Sequence, residues 1–185
     1  MSLSKLSGPD LDPSTEFTYP NVWSRDVYPG WQRLTIGARE REIGLILELC
    51  RGMRGPFGVL YVLLVSRLGK PSGRYESASP VSYDELELFL YTFQEFLEQD
   101  GRHHLWVISA SGEGQFVFDH HNVVYAYGDL DAYEGVLRGR GFREGVLSTP
   151  APHAHNYHSE LDVSEAGLLE YWPWTRFPLD SDDDP

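Results

Sequence analysis

Apolar and polar positions alternate along this chain in two rhythms, and each change of rhythm marks an element. After Thr35, which stands where an N-cap would, apolar residues fall at Ile36, Ile43, Ile46, Leu47, Cys50 and Met53. That spacing predicts a helix, stopped by Gly52 and Gly55. The run from Phe57 to Val65 is continuously apolar and rich in Val, Leu and Tyr, which predicts a central strand covered on both faces. Ser82 and Glu85 then form an S-x-x-E capping box. Leu86, Phe89, Leu90, Phe93, Phe96 and Leu97 follow as one wide apolar stripe, predicting a second helix that Gly101 ends.

From there the rhythm shortens. HLWVIS (104–109), QFVFD (115–119) and VVYAYG (123–128) read as strands joined by connectors short enough for hairpins, so they should pair antiparallel. Asp131 and Glu134 open a third helix by the same capping logic, and Asp162 and Glu165 a fourth. A short strand through Gly145–Leu147 is also expected. The predicted fold is α+β, a two-layer sandwich of a mostly antiparallel sheet of about four or five strands with about four helices. Residues 21–177 make one domain. Residues 1–20, with three prolines and no apolar period, read as an unstructured arm, and 178–185 as an unstructured acidic tail. The aromatic stretch Trp23–Trp31 should anchor that arm.

Charge changes the picture because it is unevenly spread. The net charge is -13. Residues 1–75 carry ten Lys/Arg against seven Asp/Glu, and residues 76–185 carry five Arg against twenty-one Asp/Glu. Such a surface repels nucleic acid and anionic membranes and favours a partner protein with a basic surface. The basic excess among residues 33–74 either pairs with the acidic part inside one molecule or makes the monomer bipolar, which would favour self-association. The single cysteine, Cys50, excludes an internal disulfide, and the first twenty residues hold no signal-like apolar run, so a cytoplasmic location is expected. No segment approaches the length of a membrane span.

No nucleotide loop, nucleophile elbow or complete metal signature occurs in the chain. Two functional readings remain. The first is a non-catalytic acidic binding protein without a cofactor, in an immunity or inhibitor role against a basic toxin or enzyme. Its contact residues would be Tyr125, Tyr127, Trp172 and Trp174, with Glu160, Asp162, Glu165 and Glu170 as steering charge. Trp172 and Trp174 also have a structural reading, which weighs more than partner contact: closing the core beneath the last helix. The second reading is a metal-binding protein or metal-dependent enzyme built on histidine. Five of the seven histidines lie in two loops, DHHN (119–122) and PHAHNYH (152–158). An H-x-H pair in extended chain puts both rings on one side, so His153 and His155 can share zinc or another divalent transition metal. His120 and His158 would complete the set, with Asp119 or Glu160 as an oxygen ligand.

Overall fold

The computed structural model describes residues 3–8 and 16–183. At the centre, β4 (Phe57–Leu63) and β6 (His103–Ser109) pair antiparallel from Phe57 opposite Ser109 to Leu63 opposite His103. Beyond β6 lie β7 (Gln115–Phe118) and β8 (Val123–Tyr127), then a long hairpin of β2 (Val22–Tyr28) and β3 (Trp31–Gly37). The two-residue β9 (Arg143–Glu144) ends that side, parallel to β2. Beyond β4 come β5 (Gly73–Ser77) and the edge strand β11 (Trp174–Phe177). Apart from β1 (Leu6–Ser7) and β10 (Ala154–His155), which pair with each other, the strands form one nine-stranded sheet.

The helices cover one face of this sheet. In β6, buried His103, Leu105, Val107 and Ser109 alternate with half-buried His104, Trp106 and Ile108, the period expected when one side meets the core. Buried α1 (Glu42–Cys50) touches α2 (Tyr83–Thr92), α3 (Gln94–Gln99) and α4 (Leu130–Gly139). Leu168 of α5 (Asp162–Tyr171) joins the same core. The capping box forms as read, with the Ser82 hydroxyl accepting from the Glu85 amide and the Glu85 carboxylate accepting from the Ser82 amide. On the helix-free face the strand registers line up Thr35, Tyr125, Val117, Trp106, Leu60, Glu76 and Thr175 as successive cross-strand neighbours.

The α+β class holds, but the sheet is larger than the expected four or five strands, and there are five helices. The stripe from Leu86 to Leu97 is split at Phe93, whose φ of -109° and ψ of 14° leave helical geometry. Ile36 belongs to β3, not to a helix. The helix starts only at Glu42, after Arg41 adopts a left-handed φ of 63°. The aromatic stretch from Trp23 is a hairpin turning at Pro29-Gly30, where Gly30 takes φ 91°. The Gly/Pro/Ser segment after Leu68 contains β5, which pairs because its Tyr75 and Ser77 are buried beside β4. The helix expected from Asp131 is capped two residues earlier, by Asp129 accepting from Ala132. The strand expected at 145–147 lies at Arg143–Glu144.

Both segments read as unstructured are partly built into the fold. Lys5 is wholly buried, and Leu6 pairs with His155. Asp183 is nearly buried and sits 3.2 Å from the Arg74 guanidinium. The remainder of those two predictions, residues 1–2, 9–15 and 184–185, lies outside the described residues. Among the described residues no helix is long and apolar enough to cross a membrane.

Candidate metal centre

The β7–β8 hairpin turns on Asp119. Its Oδ1 accepts from the amides of His121 and Val123, each at 2.9 Å, and Asn122 takes the left-handed conformation, φ 59°. An Asx turn of this kind tolerates αL geometry and fixes the two residues inside it, His120 and His121. The second loop is fixed from the other end of the fold. His155 lies on β10, held against β1, and the next amide, Asn156, donates to the Lys5 carbonyl at 2.9 Å. Asn156 also donates through its side chain to the Ser4 carbonyl and accepts from Ser7.

These supports bring the two loops together. The ring centroids of His120 and His155 are 4.1 Å apart, those of His120 and His121 4.1 Å, and those of His121 and His155 4.8 Å. One nitrogen from each of the three lies within 4.8 Å of the others. Nitrogens on a tetrahedral zinc stand about 3.4 Å apart, so small side-chain rotations close the set. His153 flanks it, 5.0 Å from His121 and 5.3 Å from His155. His104, from β6, packs against His120 at 4.7 Å.

Hydrogen bonding decides which nitrogens face inward. The His121 Nδ1 lies 3.2 Å from the Asp119 carboxylate, which can only accept, so Nδ1 carries the proton and Nε2 keeps its lone pair. His153 Nδ1 likewise donates to the Pro150 carbonyl at 2.8 Å, leaving Nε2. His120 Nδ1 and His155 Nδ1 are buried and have no hydrogen-bond partner among the described residues. A buried ring nitrogen without a partner is costly, and a bound cation would satisfy it. The carboxylate behind His121 is the support that metal-bound imidazoles commonly have.

Protonation favours the same role. Burial, followed by the neighbouring imidazoles of His155, His121 and His104, pushes His120 down to about 2. Burial and the nearby His121 and His153 push His155 down to about 4. His104 is lowered as well, chiefly by burial. Burial alone would raise Asp119, but the hydrogen bonds it accepts from the His121 ring and the Val123 amide, with the neighbouring imidazoles, outweigh it and hold the carboxyl below its usual value. Lys5 sits behind the turn, its Nζ donating to the Asp119 carbonyl at 3.1 Å and lying 3.8 Å from the Phe118 ring centroid. Burial brings that ammonium down to about 8. At neutral pH His120 and His155 are therefore neutral imidazoles, with the Asp119 carboxylate nearby.

Of the four histidines singled out from the sequence, the structure gathers His120, His153 and His155. His158 points elsewhere: its Nε2 bonds the Ser4 carbonyl at 2.9 Å and its amide donates to Asp100 at 2.8 Å. Its place in the set is taken by His121. Asp119 supports the site from behind, and Glu160 is exposed and bonded to Ser159. His104 was not singled out. Strict alternation within HHLWVIS, together with the register of β6 on β7, is the signal that puts it on the helix-free face beside this turn.

The residues proposed for partner contact scatter. Tyr125 and Tyr127 lie on the helix-free face, with the Arg33 guanidinium 4.3 Å from the Tyr125 ring centroid. Trp172 stacks on Phe89 at 4.2 Å, and Trp174 donates to the Leu168 carbonyl, so both close the core. Glu165 is fully buried against Arg102, which also binds Asp162. Glu160 and Glu170 are exposed. Much of the basic first part pairs internally: Arg25 with Asp131 and Glu134, Arg51 with Glu87, Arg54 with Glu113, Arg67 with Asp162, and Arg140 returns the pairing to Glu48. Comparison with models of known families, with curated proteins and with solved structures gave no match.

Proposed function

We propose that this protein binds a divalent transition metal through His120, His121 and His155, with His153 as an adjacent fourth donor. The observation that carries this reading is the convergence of three imidazoles, one nitrogen from each lying within 4.8 Å of the others. An all-imidazole donor set suits zinc, nickel, cobalt or copper and disfavours magnesium and calcium, which prefer oxygen. With three fixed ligands and one open or exchangeable position, the ion would also act as a Lewis acid toward a bound water or carbonyl. The buried free thiol of Cys50 suits a reducing compartment such as the cytoplasm.

The test is titration of metal-stripped, untagged protein with Co(II), Zn(II), Ni(II) and Cu(II), followed by elemental analysis, visible absorption and thermal melting. One ion per chain is expected, with a raised melting temperature and a cobalt spectrum of tetrahedral or five-coordinate nitrogen ligation. His120→Ala and His121→Ala should each abolish tight binding, whereas His158→Ala should retain it. Stoichiometry unaffected by His120→Ala and His121→Ala would overturn the assignment.

A second reading, recognition of a basic protein in an inhibitor or immunity role, is favoured by the net charge of -13 and by the exposed Tyr28–Trp31 stack, 4.1 Å between centroids, beside Tyr127. It is separable from the first because association of that kind slows sharply with added salt and needs no metal.

A further inference from the structure

On the helix-free face a groove of about 620 Å³ runs over β4, β5 and β6, with no histidine in its lining. Its floor is Leu60, Trp106 and Ile108, and Phe177 and Leu179 form one wall. That volume is several times what a single side chain fills and lies within the range of about 300–1,000 Å³ typical of small-molecule sites. Half-buried apolar groups on an otherwise open sheet face are where an aromatic or branched aliphatic body would gain most from leaving water.

The polar groups around it are biased in sign. Arg74 is the one cation among the lining residues, and it is already engaged, 3.2 Å from Asp183 and 3.7 Å from Asp180. Glu76 lies on the same face, next to Leu60 across the ladder, is exposed and makes no ion pair among the described residues. A carboxylate without a counter-ion beside an indole face and an aliphatic floor complements a cation carried on an apolar body. The Arg74 guanidinium already lies over that indole, 5.6 Å from its ring centroid, so the carboxylate rather than the ring supplies the attraction for the cation.

We infer that this groove binds a small organic cation, an ammonium joined by a short linker to an aromatic or branched apolar group. Leu60, Trp106 and Ile108 receive the body and Glu76 pairs with the ammonium. An anionic counterpart of the same shape is disfavoured, because its carboxylate would meet Glu76, while the arginine that could receive it is already paired with Asp183 and Asp180. Neither the metal nor the histidine cluster takes part, so the site stands whether or not the metal reading does.

The experiment is calorimetric titration of the full-length protein at neutral pH with tryptamine and, separately, with indole-3-propionate, which has the same ring and a carboxylate in place of the amine. Tryptamine should bind with a Kd of about 1 mM or tighter, at least about tenfold better than the acid. Glu76→Gln, a change on an exposed side chain, should reduce that preference to about threefold or less. Ile108→Arg, which fills the groove and adds a positive charge, should abolish binding while leaving the melting curve cooperative. If that variant does not fold, Leu60→Gln tests the same floor. Equal or better binding of the acid, no heat from tryptamine at saturating concentration, or full binding retained by a folded floor variant would each overturn the proposal.

Discussion

Arg102 offers a sharp test of how the fold holds its long loops. Its guanidinium is completely buried, and every donor face is used. Nε and Nη2 make a bidentate pair with Asp100 at 2.7 and 2.8 Å, Nη1 reaches Asp162 at 2.9 Å and also Glu165, and Nη2 donates to the His158 carbonyl at 2.9 Å. The Asp100 and Glu165 side chains are as fully buried as the arginine. Arg102→Met keeps the volume and removes the charge, leaving two carboxylates in the interior with no cation between them. Removing one partner of such a buried pair costs about 3–5 kcal/mol, a large share of the roughly 5–15 kcal/mol that stabilises a typical domain. With a urea m-value of about 2–3 kcal/mol/M for a chain this size, the midpoint of equilibrium unfolding should fall by about 1–2.5 M. The compensated variant Arg102→Met/Asp100→Asn/Glu165→Gln should recover at least half of that loss, because most of the cost is the stranded charge and not the missing contacts. A loss below about 1 kcal/mol in the single variant, or a triple variant no more stable than the single, would refute the reasoning.

Two further outcomes follow from the buried titratable groups. His120 is held down to about 2 in the folded chain and returns to about 6.5 on unfolding, so its neutral form costs nothing above pH 6.5 and a growing amount as pH falls below it. Metal-free protein should therefore lose up to about 1.4 kcal/mol of stability per pH unit from this residue between about pH 6 and 4, and His120→Gln should flatten the urea midpoint against pH by that amount. An unchanged slope would show that the ring is not held neutral. Cys50, pushed up to about 12 by burial, should resist iodoacetamide for hours in native buffer and react within minutes in denaturant. Rapid native labelling, followed by mass spectrometry, would contradict the burial.

The helical core was legible because its signals are local. Ser82, Glu85 and the Leu86–Leu97 stripe lie within one stretch of chain and need no distant partner to be read. The three strands after residue 103 were legible for the same reason, their turns being short. The strands that sequence missed have polar residues on the open face: Asp26 beside Arg33, and Arg74 and Glu76 in β5. Their alternation is weak until the neighbouring strand is known, because half of each strand faces no core. At the histidine cluster the loop pair DHHN and PHAHNYH was visible as composition, and three of its members do meet. The exchange of His158 for His121 was not visible. It depends on the Asx turn at Asp119 and on Arg102 and Ser4 holding His158 elsewhere, and all three are long-range or conformational facts.

The pairing of β1 with β10 has a consequence for the order in which the protein is made. Ser4 and Asn156, which bond each other, are 152 residues apart in the chain, and among the described residues the strand carrying His155 pairs with β1 alone. During synthesis the DHHN residues are made before β10, so an incomplete chain has that turn without its third imidazole. On the proposed reading, metal capture is therefore a late event that waits for β10 to be made. A chain ending before residue 150 would carry the DHHN turn but neither β10 nor α5, and on the proposed reading it should hold no ion.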